Sequence, residues 1–196
     1  MTSGLDDTLG DAVTPENLQN VAEVNSRWAY HNVYVKMQEV IAAASNTTFT
    51  NYFNTNLKDK IGMSGLWTNI NNLSIFWSNT RNMARFGLLI SADGTWNNTQ
   101  IVSESFLKEA TNTSQNMNKA YGYLWWLNDK ESYHLPQSQN KFSGYLIPNA
   151  PTDMYAALGK NDQKIYVVPS KKIVNIRMGD SAETSNFALS NFDDDL

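Results

Sequence analysis

Ser26-Arg27-Trp28-Ala29-Tyr30-His31-Asn32-Val33-Tyr34 sets a tyrosine and an asparagine two residues apart, at the head of a run from Val33 to Ala44. In that run Val33, Met37, Val40 and Ile41 fall close to a 3.6-residue stripe, which predicts a helix. If its start is a turn, Tyr30 and Asn32 point into one cavity with the helix as a rigid support. A phenol so placed can shuttle protons, and a carboxamide can donate and accept hydrogen bonds to a substrate. On the pair alone the simpler reading is a core tyrosine whose hydroxyl is satisfied. The company the pair keeps decides between the two.

Upstream, residues 1–25 are polar and punctuated by Gly4, Gly10 and Pro15. Thr14-Pro15-Glu16-Asn17 predicts a helix start, with Thr14 as N-cap and Pro15 at the first helical position. Downstream, a short helix is expected over Thr50 to Lys58, then turn-like polar residues from Asn71 leading into Ile75-Phe76-Trp77. Thr80 to Ser91 is the strongest helix, with Met83, Phe86, Gly87 and Ile90 on one face. Ala92-Asp93-Gly94-Thr95 reads as a turn, after which Trp96, Ile101 and Val102 pin a loop. Ser103 caps a helix to about Thr111, with Glu104 early and Lys108 late to complement the dipole.

An Asn/Ser-rich linker over 112–120 marks a shift in composition. Tyr121 to Leu127, Lys164 to Pro169 and Ile173 to Met178 read as strands, rich in aromatic and β-branched residues. Pro169-Ser170-Lys171-Lys172 connects the last two as a hairpin, residues 182–192 read as a closing helix, and Asp193-Asp194-Asp195 as a solvated tail. Helices first and strands last predict an α+β fold, divided into a helical lobe over 1–120 and a strand-bearing part over 121–196.

Composition narrows the function classes. The chain has 196 residues, 41% hydrophobic and 12% aromatic, enough for one domain with a real core. Net charge is −4 with both signs scattered, so no basic stripe speaks for nucleic acid and no basic amphipathic helix for a membrane surface. Cysteine is absent, which removes disulfides, thiol catalysis and cysteine metal sites. With two histidines and no ligand spacing, no metal site is expected, and no glycine loop of the phosphate-cradling kind is present. The apolar runs are too short for a membrane span.

An ordered set of short motifs surrounds Tyr30-His31-Asn32. It comprises Met1-Thr2-Ser3-Gly4-Leu5 upstream and, downstream, Lys60-Ile61-Gly62-Met63, Thr80-Arg81-Asn82-Met83-Ala84-Arg85-Phe86-Gly87, Tyr121-Gly122-Tyr123-Leu124-Trp125-Trp126 and Val167-Val168-Pro169. In that order, from Thr2 to about Gly179, they resemble the serine beta-lactamase-like superfamily. That superfamily holds class C beta-lactamases, penicillin-binding DD-peptidases, esterases and 6-aminohexanoate-dimer hydrolases. The resemblance implies a beta-lactamase/transpeptidase-like fold, of which this chain supplies the helical lobe and the last three strands of an antiparallel sheet. It also implies that Met1 is internal, that the nucleophile helix and any export signal lie upstream of it, and that the last strand is a raw edge. Apolar surface left uncovered by that segment predicts poor stability for residues 1–196 alone.

The resemblance further implies acyl transfer without a cofactor, on a small ester or amide. A serine of a Ser-x-x-Lys pair attacks, activated by a neighbouring base, because a free hydroxyl is a poor nucleophile. Tyr30 then takes the proton-shuttle role and Asn32 the substrate-amide contact. Ser105-Phe106-Leu107-Lys108 matches Ser-x-x-Lys by letter but follows Tyr30 instead of preceding it, and it reads as an exposed outer helix. The third element, Lys/His-Thr/Ser-Gly, aligns with Ala157-Leu158-Gly159, continuing to Lys160-Asn161-Asp162-Gln163. Gly159 stands at the motif's glycine, which makes the Lys160 N–H the oxyanion-hole candidate and Asn161 and Gln163 candidate substrate contacts. A solvated turn is an equal reading for Lys160. Ala157 replaces the basic residue that holds a substrate carboxylate, which argues against beta-lactam or D-alanyl peptide substrates. The aromatic set Tyr121, Tyr123, Trp125 and Trp126 is expected to alternate on a strand, and His134 to sit idle in a polar loop. Ala157 and the absent nucleophile also support a different class, a binding module that keeps the fold without catalysis. A stand-alone helical adaptor is disfavoured by the strands of the last third.

Overall fold

The computed structural model describes residues 1–10, 12–70 and 73–180. The expected closing helix over 182–192 lies outside the described residues. In chain order the helices are α1 (Met37–Ser45), α2 (Phe49–Phe53), α3 (Thr80–Ser91) and α4 (Glu104–Ala110). The strands are β1 (Leu66–Ile70), β2 (Leu73–Trp77), β3 (Thr95–Trp96), β4 (Thr99–Gln100), β5 (Trp126–Leu127), β6 (Ser132–His134), β7 (Lys141–Ser143), β8 (Tyr155–Gly159), β9 (Gln163–Val168) and β10 (Ile173–Arg177).

The organising layer is an antiparallel sheet in the order β10-β9-β8-β5. β10 is its edge, as the resemblance implied. Alternation along the strands gives the sheet two working faces. On one face α3 lies across β9 and β10. Gly87 permits the close approach, since a Cβ there would stand 2.5 Å from Val174 Cγ1. Ile90, Leu107, Trp125 and Leu127 complete this layer, with Ala157 and Tyr155 of β8 packed against them. On the other face Ala156, Leu158, Tyr166 and Val168 meet Trp28, Tyr121 and Trp126. The segment before α1 therefore rests on the sheet.

α3 has the bounds its periodicity predicts, and Asn79 caps it by accepting the Asn82 N–H at 3.0 Å. The hairpin between β9 and β10 is also as read: Pro169–Lys171 form a 3₁₀ turn and Lys172 turns left-handed. Ser103 caps α4 by accepting from the Phe106 N–H, and Thr48 caps α2 by accepting from the Asn51 N–H.

Several expectations are corrected. Thr14-Pro15 starts a single turn with no helix behind it. The helix read from Val33 begins as a 3₁₀ segment over Asn32–Lys36, and no residue of that segment or of α1 is buried. Periodicity located the helix, but of its apolar stripe Met37 and Val40 are exposed and Val33 and Ile41 only partly covered. Leu66–Ile70 and Leu73–Trp77 pair as antiparallel strands, where the sequence predicts only turn-like residues from Asn71, and β3 and β4 form a second antiparallel pair. Asn97 and Asn98 both take positive φ between β3 and β4, the conformation a tight two-residue turn demands. His134 is in β6, paired with Lys141 of β7, and not in a loop.

The largest correction falls on Tyr121 to Leu127. Only Trp126–Leu127 is strand; the preceding residues fold back, with Tyr121 bridged to Trp126 and the Gly122 N–H donating to the Trp125 carbonyl. Leu124 sits at φ 64°, a left-handed conformation that no periodicity rule anticipates for leucine. The aromatic residues consequently do not alternate: Tyr121, Trp125 and Trp126 are all buried while Tyr123 is exposed.

Candidate active site

Tyr30 closes the extended segment that lies on the sheet, and His31 in β conformation starts the 3₁₀ segment that carries Asn32. The Tyr30 ring stacks on Trp126 at 15° between planes and stands edge-on to Tyr121, centroids 5.9 Å apart. The Tyr121 hydroxyl is the polar neighbour that acts on its phenol. Burial pushes the Tyr30 phenol above its ordinary range, and Tyr121 offsets this in part. Tyr121, almost wholly enclosed, is pushed well above that range by burial first and by Tyr30 second.

The backbone of Tyr30 is fixed by a residue that sequence reading did not single out. Asp7, 3% exposed, accepts the Tyr30 N–H at 3.1 Å and the Gln137 N–H at 2.9 Å on one oxygen. Its other oxygen takes the Arg27 guanidinium at 2.8 Å. Gln139 adds a bond from its side chain to the Trp28 carbonyl at 3.0 Å. One carboxylate thus ties three distant stretches of chain around the same hollow.

That hollow is a cavity of about 530 Å³, lined on one side by Tyr30, His31, Asn32 and Tyr34 and on the other by Leu158, Gly159 and Lys160. Four of the residues singled out from the sequence, Tyr30, Asn32, Gly159 and Lys160, are therefore brought together. Asn161 and Gln163 are not among its lining residues. Gln163 spends its side chain on the Asn161 carbonyl and on both backbone groups of Gly179, so it ties the start of β9 to the chain beyond β10. Ser105 and Lys108 are on the exposed face of α4, with Lys108 paired to Glu104.

The turn after Gly159 is held by buried charge. Asp162 and Lys164 have side chains 1% and 0% exposed and lie 3.1 Å apart. Arg177 reinforces them by donating to the Asp162 carbonyl at 3.0 Å. Asn161 and Asp162 both take positive φ, which lets a three-residue turn join β8 to β9 in register. Ala157 lines a second, smaller cavity of about 210 Å³ with Met83 and Ile176, and not the one holding Tyr30. Among the described residues no cluster of His, Asp or Glu could hold a metal ion, and no helix is long and apolar enough to cross a membrane.

No family model matches the sequence, and no curated protein matches it. Solved structures do. The chain superposes on a Bacillus anthracis protein named for 6-aminohexanoate-dimer hydrolase with a TM-score of 0.65 at 19% identity, covering 87% of this chain and 43% of that one. A Bacteroides dorei protein named as a beta-lactamase gives 0.67 at 12% identity, over 99% and 68%. A penicillin-binding-protein homologue from Caulobacter crescentus gives 0.63 at 10%, over 88% and 58%. The chain has the fold of the serine beta-lactamase and penicillin-binding-protein superfamily. It spans about half the length of these structures, so the superfamily fold is represented here by a part.

The tyrosines give this part of the fold a pH signature. Burial first, and then Asp93 and Asp153, push the Tyr155 phenol up to about 12. Tyr30 and Tyr121 shift in the same direction. A phenol raised in the folded state keeps its proton where the unfolded chain has lost it. Its stabilisation is complete below pH 10 and disappears as pH climbs towards 12. We expect phenolate absorbance at 295 nm and loss of near-ultraviolet dichroism to rise together above pH 10. Full ionisation of all nine tyrosines with the dichroism intact would contradict it.

Proposed function

We propose that residues 1–196 form the Tyr-x-Asn and oxyanion walls of a serine hydrolase acting on a small ester or amide through an acyl-enzyme. The attacking serine comes from a Ser-x-x-Lys segment outside this sequence. The observation that carries the reading is the single cavity shared by Tyr30, Asn32, Gly159 and Lys160. Because burial keeps the Tyr30 phenol protonated, it serves as a proton relay and not as a standing phenolate. It passes a proton to the leaving group and recovers one from the incoming water. Asn32 orients the acyl side through its amide, and the Lys160 N–H stabilises charge on the carbonyl oxygen. Asp7 holds the Tyr30 main chain, and the Asp162–Lys164 pair holds the turn that presents Lys160. Alanine at 157, in place of the motif's basic residue, supports substrates without a carboxylate beside the reacting bond.

The test uses the chain preceded by a Ser-x-x-Lys segment. Such a protein should hydrolyse p-nitrophenyl acetate and take a fluorophosphonate label on the serine. Tyr30→Phe should lower kcat about 10²-fold by removing the relay. Lys160→Pro deletes one N–H after an already extended Gly159 and should cost about 10²-fold as well. If the labelled serine reacts equally fast in both variants, the roles are wrong. The second reading, a binding module, is favoured if the cavity takes ligand and no serine can be labelled.

A further inference from the structure

The paired strands β1 and β2 carry an apolar face that, among the described residues, no other element packs on. Leu66 pairs with Trp77, Thr68 with Ile75 and Ile70 with Leu73, and cross-strand partners share a face. The opposite face is spoken for: Trp67 and Phe76 pack on Phe49 and Phe53 of α2, with Phe53 and Phe76 centroids 5.0 Å apart. On the free face Leu66 is 61% exposed and Trp77 56%. Leu73, at the other end of the same face, lines the cavity beside Tyr30. The apolar strip therefore starts inside the cavity and leaves it along the strand pair.

Its occupant can be argued from size and charge. The strip is roughly 17 Å long and one strand pair wide, far below the ~800 Å² per partner of a stable protein interface. Residues 61–80 contain no Lys, Arg, Asp or Glu, so the strip offers nothing to a charged peptide or an anionic lipid surface. An extended, uncharged hydrocarbon chain matches both its length and its continuity with the cavity. We propose that this face seats the alkyl chain of a neutral acyl ligand whose carbonyl lies beside Tyr30. The proposal rests on the serine-hydrolase reading for where the carbonyl sits, and it needs no turnover to be tested.

The experiment titrates residues 1–196 with N-methyl hexanamide and N-methyl acetamide, following the indole and methyl resonances of Trp77, Ile75 and Leu73 and the ring signals of Tyr30. Four added methylenes, partly buried, should tighten binding about tenfold and shift Ile75 only with the longer amide, while Trp77, two residues farther along the strand, stays put. Ile75→Asn with Trp77→Ser, both on the exposed face, should abolish the chain-length dependence while the Tyr30 shifts persist. Equal affinity for the two amides, or chain-length dependence surviving in the double variant, overturns the proposal. So does a dimer in sedimentation, or adhesion to phosphatidylcholine vesicles, that the double variant loses while amide binding is unchanged. Failure of both amides to perturb Tyr30 counts against the cavity reading itself, and is distinguishable from loss of the Ile75 response alone.

Discussion

Replacing Asp7 with alanine lowers the stability of the chain by about 3–5 kcal/mol, the cost of breaking a buried ion pair from one side. The side chain has no exposed area, and both its oxygens are used as acceptors. Its loss takes the acceptor from the Tyr30 and Gln137 N–H groups and leaves the Arg27 guanidinium the weaker contact with Asp6 at 3.9 Å. Asp7→Asn is the informative companion. An asparagine keeps one acceptor oxygen, so its NH2 must face either the guanidinium or the two backbone donors. It should recover less than half of the loss. Chemical denaturation of the three proteins measures this, with the midpoint shifting and the slope held. In a chain bearing the nucleophile, Asp7→Asn should lower kcat more than it raises KM, since its bond to the Tyr30 N–H positions the relay. Wild-type stability in Asp7→Ala would mean that the carboxylate does not organise the cavity.

Asp7 also shows what a sequence can and cannot disclose. It stands in a polar stretch, and its partners are 20, 23 and 130 residues away, so no window of local pattern contains them. The Asp162–Lys164 pair was nearer to legible, as an acid and a base two apart beside Gly159, but nothing in their spacing says that both are buried. Tyr30, Asn32, Gly159 and Lys160, which the structure sets around one cavity, were singled out because ordered motifs carry positional information that composition lacks. α3 was legible because its cap, its period and its burial all agree. The β1–β2 pair was not, although Leu66, Thr68 and Ile70 alternate correctly. Its exposed face is as apolar as its packed one, and alternation between two apolar faces is no signal. The α1 stripe misleads in the opposite sense, because apolar periodicity reports a face to be covered, not that the cover is present in these residues.

The same contrast sets the second large effect, at Gly122. A methyl group there would lie 2.1 Å from the Ala110 carbonyl oxygen and 2.7 Å from that of Asn112, and both are backbone atoms that end α4. Neither can rotate aside. The Tyr123 N–H donates to that same Ala110 carbonyl, so the reversal is held to the helix end by the contact that alanine would break. Gly122→Ala must therefore open the turn that brings Tyr121 back against Trp126, or shift the end of α4. Overpacking of this kind typically costs about 1–3 kcal/mol, and more where, as here, the obstacle is backbone. The consequence reaches the cavity, because Trp126 is the surface on which Tyr30 stacks and Tyr121 stands edge-on to its ring. We expect a lowered melting temperature together with loss of the near-ultraviolet signal from the Trp28, Tyr121 and Trp126 cluster. Tyr123→Ala, at the exposed neighbour, should change neither by more than a small amount. An unchanged melt in Gly122→Ala would restore the continuous strand that the residue pattern alone predicts, with Tyr121 and Trp126 then too far apart in the chain's geometry to frame one phenol.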